Sequence, residues 1–182
     1  AVWSAANGYS LVWTIGFNQP VHWFAGHFQP VLYLFVLLYK FLPSVNWFIV
    51  AQSLSLSITA WLIFRIACIV TGHNKIAFIW SFAYLCNPFL LNAAAWDFHP
   101  QCLAVPFFAL GLLAVMLKRP FLLLIVSIVI MSCKEHFGIA VVGFGLLYWI
   151  RNKNWIVGLG FVLLGMMSIV LIIGVIMPSL SP

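Results

Sequence analysis

Apolar residues run along this chain in long unbroken blocks, and short polar or proline-bearing breaks divide one block from the next. Blocks of this length predict helices, because a buried strand seldom exceeds eight residues. Residues 1–27 are the exception. They alternate aromatic and polar residues, carry the breakers Gly8, Gly16, Pro20 and Gly26, and offer no stretch long enough to cross a bilayer. Residues 30–42 predict one apolar helix of about 20 Å, too short for a hydrocarbon core of about 30 Å. It reads as a juxtamembrane or re-entrant helix ended by Pro43.

Six blocks follow in close succession, at residues 46–70, 76–95, 101–117, 120–133, 137–150 and 155–177. Each is taken as a crossing, two of them short, and the second carries a predicted kink at Asn87-Pro88. The expected fold is an all-α, polytopic helical membrane protein. It forms one membrane domain, in which residues 1–45 are an extracytoplasmic loop with juxtamembrane helices and residues 46–177 are about six transmembrane helices.

Composition removes the alternatives. Of 182 residues, 65% are apolar and only 5% are charged, against roughly 25% charged in a soluble domain. Such a chain cannot clothe a water-facing surface. Eight basic residues against two acidic ones mark topology in a polytopic protein, and nucleic acid is not expected as a partner. The cysteines at 68, 86, 102 and 133 lie inside apolar blocks without paired spacing, which indicates neither a disulfide framework nor a zinc knuckle. The opening AVWSAANGYS has no basic region followed by an apolar run, so it is not a signal peptide.

Charge then fixes the expected orientation. With six alternating crossings, the connections at 71–75, 118–119 and 151–154 share one side. Lys75, Lys118, Arg119, Arg151 and Lys153 fall there, with Arg65 close by. The positive-inside rule makes that side cytoplasmic, in a plasma (inner) membrane. His22, His27, Asp97, His99, Lys134, Glu135 and His136 fall on the opposite face. One unbroken helix from 120 to 150 would bury Lys134-Glu135-His136 at mid-membrane and split the basic clusters. Two short helices meeting at a corner below the surface avoid both.

Three polar stretches on that face can carry chemistry. In Trp96-Asp97-Phe98-His99-Pro100, the proline biases His99 to an extended backbone, so one tight turn can display both Asp97 and His99. That pair suits a general base or two ligands for a divalent metal; an Asp capping the next helix is the plainer reading. Lys134-Glu135-His136 offers an ammonium for a phosphate, and a carboxylate to pair with it or help bind a metal; a mutually neutralising structural pair is the alternative. His27-Phe28-Gln29-Pro30 opens the short helix, where anion binding and interfacial anchoring are equally served. His73 is a solvated turn residue, Lys40 can snorkel, and Trp47, Trp96, Trp149 and Trp155 suit an interfacial belt.

Taken in order, His27-Phe28-x-Pro30, Asp97-Phe98-His99-Pro100 and Cys133-Lys134-Glu135 resemble the family of predicted membrane proteins known as domain of unknown function 2079, from Ala1-x-Trp3 to Pro178. That family is similar in layout to the GT-C glycosyltransferases, multi-pass enzymes that take a sugar from a polyprenyl-phosphate carrier on the extracytoplasmic face. The resemblance implies a first transmembrane helix and an early catalytic carboxylate ahead of Ala1, and a further part beyond Pro182. It implies inverting transfer with Asp97, His99 and Glu135 as catalytic residues and His27, Lys134 and His136 binding the phosphate. A divalent metal would be held by Asp97 and His99. Membrane lipid and the lipid-linked sugar donor are the implied partners.

Two other classes share these features. A transporter or ion-conducting protein also places ionisable groups in a membrane cavity, but needs polar residues continuing to the cytoplasmic side, and 103–117 and 161–177 contain almost none. A non-catalytic assembly subunit needs no site, and predicts that these ionisable side chains are scattered.

Overall fold

The long apolar blocks become helices whose ends are set by glycine, proline and asparagine. The structure is a computed structural model and describes residues 1–13 and 20–181. The breaker Gly16 lies outside the described residues. Helix α1 (Val2–Ala6) leads into a two-residue antiparallel ladder of β1 (Val12–Trp13) and β2 (Val21–His22), with Val12 opposite His22. The one-turn helix α2 (Trp23–Gly26) and then α3 (Leu32–Phe41) complete the N-terminal region. The stretch read as irregular thus has local order, although none of its elements is long.

The first long helix, α4 (Asn46–Thr71), ends where Gly72 takes the left-handed conformation at φ 70°, a backbone that only glycine adopts freely. Its successor is broken at the predicted place. In α5 (Asn74–Leu85) and α6 (Pro88–Ala95), the Asn87 side chain accepts from the amides of Phe89 and Leu90, and Pro88 starts the new helix without a donor to lose. The two halves are bent by 47°. Pro100 opens a 3-10 turn, Pro100–Ala104, that runs into α7 (Val105–Met116). Pro120 starts α8 (Pro120–Cys133), the corner lies at Lys134, and α9 (Gly138–Asn152) follows a second 3-10 turn. Helix α10 (Trp155–Leu171) continues through a π-helical turn, Ile172–Ile176, into the short α11 (Met177–Ser179).

Helix lengths change the expected count of crossings. Among the described residues, only Asn46–Thr71 and Trp155–Ser179 are long and apolar enough to cross a membrane alone, with a third if the bent pair α5–α6 is one span. The blocks at 101–117 and 120–133 give shorter apolar helices, because proline restarts the chain at each. A helix of 14 residues is about 21 Å long, below the thickness of the hydrocarbon core. Exposed Ile49, Leu54, Ile58, Trp61, Phe78, Trp80, Met167 and Val170 give these helices a continuous apolar outer surface, which lipid, not water, solvates.

Packing sorts the chain into two ends. At one, Asn152 donates to the Val115 carbonyl at 3.0 Å, which brings the C-terminus of α9 against that of α7. Lys118-Arg119 and Arg151-Lys153 therefore share an end, above a core of Ala114, Val115, Leu123, Val141 and Tyr148. At the other end Leu11, Leu32, Phe35, Leu103, Ala104 and Cys133 form a second core beneath the polar stretches.

Helices α9 and α10 touch backbone to backbone. A Cβ on Gly145 would stand 2.6 Å from the Gly158 carbonyl oxygen, and one on Gly138 2.6 Å from that of Gly165. Close approach through small residues is how helices associate where lipid removes the hydrophobic driving force. Gly145→Ala is expected to destabilise the protein by about 1–3 kcal/mol through overpacking. Gly143→Ala, which meets nothing within 4 Å, should instead gain up to about 1 kcal/mol of helix propensity. Thermal melts in detergent check the pair, and equal effects would contradict the contact.

Candidate functional site

The corner between α8 and α9 exists because Lys134 breaks the helix with an extended backbone, φ −163° and ψ 140°. Its side chain turns inward and is only 8% exposed. A buried ammonium must be met by acceptors, and two are present. Glu135 Oε1 lies 2.9 Å from Nζ, and His27 Nδ1 lies 2.8 Å from it. Because an ammonium only donates, Nδ1 accepts and carries no proton; the neutral ring is protonated at Nε2. The 3.8 Å approach of the same Nδ1 to Glu135 is then proximity, not an ion pair, since one nitrogen cannot accept from Lys134 and also donate.

Glu135 is used at both oxygens. Oε2 accepts from the backbone amide of Phe28 at 3.2 Å while Oε1 pairs with Lys134. Nearby, Val31 donates its amide to the Ser132 carbonyl at 3.1 Å. The motif His27-Phe28-Gln29-Pro30 is thereby docked onto Ser132-Cys133-Lys134-Glu135. His27 also stacks against Trp13 and contacts Trp23, whose indole N–H donates to the buried Gln29. His136 stays half exposed, 3.9 Å from Glu135 and edge-on to Phe137.

A second polar group lies on the turn at 96–99. Phe98 points into the protein, with ring centres 5.2 Å from Phe35 and 4.8 Å from Phe48. Its neighbours Asp97 and His99 are exposed. The turn is held by Gln52, a buried glutamine of α4 that accepts from the His99 amide at 2.9 Å and donates to the Ala93 carbonyl at 3.0 Å. His99 Nδ1 lies 2.6 Å from the Asp97 carbonyl oxygen. A carbonyl only accepts, so Nδ1 is the donor in this bond. His99 lines a depression of about 350 Å³ together with Asn92, Trp96 and Cys102. The Asp97 carboxylate has no hydrogen bond or ion pair among the described residues.

The structure therefore brings His27, Lys134 and Glu135 into one bonded cluster, with His136 at its edge, and puts Asp97 and His99 in another. No hydrogen bond or ion pair joins the two among the described residues. They flank the same core, and an apolar groove of about 340 Å³ runs between them, walled by Trp23 on the His27 side and by Phe98 and Pro100 on the other. No group of three His, Cys, Asp or Glu side chains gathers at Asp97 and His99 among the described residues; the carbonyl bond at His99 Nδ1 leaves Nε2 as the one ring nitrogen that could meet a cation beside Asp97. Gln29 and Gln52 organise the two clusters and carried no role in the sequence reading. Their signal was present, as polar side chains with nothing to solvate them inside apolar surroundings.

The fold and the exposed apolar surface define a helical membrane protein. The chain belongs to the family described as "Predicted membrane protein (DUF2079)", whose model matches residues 1–182. No curated protein and no solved structure gives a match.

Burial raises the Glu135 carboxyl, but hydrogen bonding and charge from Lys134 outweigh it and hold the group below its ordinary 4.5. A depressed carboxylate contributes its stability fully above the unfolded value and loses it as pH falls. The melting temperature should thus hold steady above pH 4.5 and fall below it. In Glu135→Ala, this site's contribution to that acid slope should vanish. That variant should also cost about 3–5 kcal/mol, because Lys134 keeps its buried charge without its partner. Detergent melts across pH provide the measurement.

Proposed function

We propose that the intact protein transfers a sugar from a polyprenyl-phosphate donor on the extracytoplasmic face of the plasma (inner) membrane, with the short apolar helices completing about six crossings. The observation that carries this reading is the unequal state of the chain's two carboxylates. Glu135 is spent on Lys134 and on the Phe28 amide, whereas Asp97 is exposed and unpaired among the described residues, next to His99, whose Nδ1 is tied to the Asp97 carbonyl. An acceptor hydroxyl gives its proton to Asp97, and its oxygen attacks the anomeric carbon. The bond from that carbon to the phosphate oxygen breaks, and the lipid phosphate leaves with the electron pair. Lys134, fixed by His27 and Glu135, supplies positive charge towards the departing phosphate, with His136 at the rim. The apolar groove between the clusters suits the first isoprenoid units.

A transport reading draws on Gln52, Thr59 and Ser81, which place polar groups along α4 and α5. Gln52 and Ser81 donate to carbonyls of neighbouring helices, which is how polar side chains hold helices together in lipid, and Thr59 donates within α4 to the Ser55 carbonyl. That use favours packing over a conduit.

In full-length protein reconstituted with labelled polyprenyl-phosphate sugars, Asp97→Asn should lower turnover by at least about 100-fold without moving the melt. Wild-type turnover in that variant removes Asp97 from the mechanism. Topology is tested separately. In a background without the four native cysteines, Asp97→Cys and Arg119→Cys should react with an impermeant maleimide from opposite sides. Labelling from one side alone would refute the crossing pattern.

A further inference from the structure

A further cavity belongs to neither cluster. It is a groove of about 690 Å³ between α4, α5 and α7, walled by Ile63, Ala67 and Thr71 on α4, Trp80 on α5, and Ala109 and Leu112 on α7. Apart from the Thr71 hydroxyl, which donates to the Ala67 carbonyl, these walls present hydrocarbon. Ile63 to Thr71 spans about 12 Å of helix, against about 15 Å for one leaflet's hydrocarbon. The groove is thus deep enough for most of one lipid chain and stops where α4 stops.

A second depression, of about 560 Å³, begins at that point and is lined by His73, Asn74, Lys75 and Ile76. The two adjoin at the end of α4, where Thr71 of the groove wall accepts from the amide of His73 at 3.3 Å. Lys75 is exposed and makes no ion pair among the described residues. Both acidic residues of the chain are at the other end of the bundle, so nothing at this end neutralises Lys75, Lys118, Arg119, Arg151 or Lys153.

We infer that these two adjoining depressions bind one anionic phospholipid, with an acyl chain in the α4–α5–α7 groove and the phosphate against Lys75 and His73. Basic pockets between membrane helices select anionic headgroups through charge, and each lysine near the surface is worth about 1 kcal/mol. Neither part suffices alone. A free phosphate has no use for the groove, and a zwitterionic lipid no net charge for Lys75. The inference is independent of the transfer reaction proposed above and of Asp97.

The test uses the whole chain in nanodiscs of equimolar phosphatidylglycerol and phosphatidylcholine with identical acyl chains, with retained lipids counted by native mass spectrometry. Phosphatidylglycerol should be enriched over the bulk ratio. In Lys75→Gln that enrichment should fall about fivefold, while Lys75→Arg and the distant Lys40→Gln keep it. Ala109→Phe, which fills the groove, should lose retained lipid of either headgroup, and millimolar glycerol phosphate should not displace it. Retention at the bulk ratio, or enrichment unchanged by Lys75→Gln, overturns the inference. So does a lipid-free dimer, which would make a second copy of the chain the occupant. Should Ala109→Phe fail to fold, the exposed Lys75 variants still decide the outcome.

Discussion

A buried ammonium is what the site end of this protein is built around. Lys134 lies at a corner where the chain must stop being helical, and its charge is shielded from solvent. Leaving it unmet would cost several kcal/mol. The only carboxylate within reach is its own neighbour Glu135, and one ion pair leaves donors over. His27, 107 positions earlier in the chain, supplies the second acceptor, and the Phe28 amide uses the second Glu135 oxygen. Meeting one charge thus docks the N-terminal region, sets the tautomer of His27, and fixes where α3 begins. Trp23, Gln29 and the core under Phe35 follow from that docking.

Lipid as solvent explains the division of labour between the two ends. Apolar faces gain little from meeting each other when the surroundings are equally apolar, so cohesion must come from close contact and hydrogen bonds. Glycine seams serve α9 and α10, and Ser81 and Gln52 bond to carbonyls of neighbouring helices. Ionisable groups are confined to the ends, where their desolvation is smallest. The basic end holds no acid, while the other holds both carboxylates alongside Lys134 and three of the histidines within the two clusters.

Much of this was legible in the sequence because its punctuation is strong. Pro120 and Lys134 bounded α8 as predicted, and Asn87-Pro88 marked the bend, since an asparagine cap followed by proline can only restart a helix. The three motifs His27-Phe28-x-Pro30, Asp97-Phe98-His99-Pro100 and Cys133-Lys134-Glu135 identified the family that the chain belongs to. The number of crossings was less legible, because apolar blocks separated by two residues look like full spans, whereas by length alone the described helices give two crossings, or three with the bent pair. The β1–β2 ladder was invisible, as two-residue strands carry no alternation. Pairing was also hidden: nothing local says that His27 meets Lys134, or that Gln52 caps a turn 47 positions away.

The Asp97 turn shows how a free carboxylate is kept in place without a partner of its own. An exposed aspartate makes little demand on the fold, yet the backbone that carries this one is firmly held. Here the residues on either side do the holding. Phe98 is wedged between Phe35 and Phe48, the His99 amide is bonded to Gln52, and the His99 ring is tied to the Asp97 carbonyl. Every one of these contacts acts on backbone or on a neighbouring side chain, and none consumes the carboxylate. Glu135 presents the opposite arrangement, with both side-chain oxygens committed, on a 3-10 turn closed by the Phe137 amide on the Lys134 carbonyl. The contacts thus commit one of the chain's two carboxylates to structure and leave the other exposed.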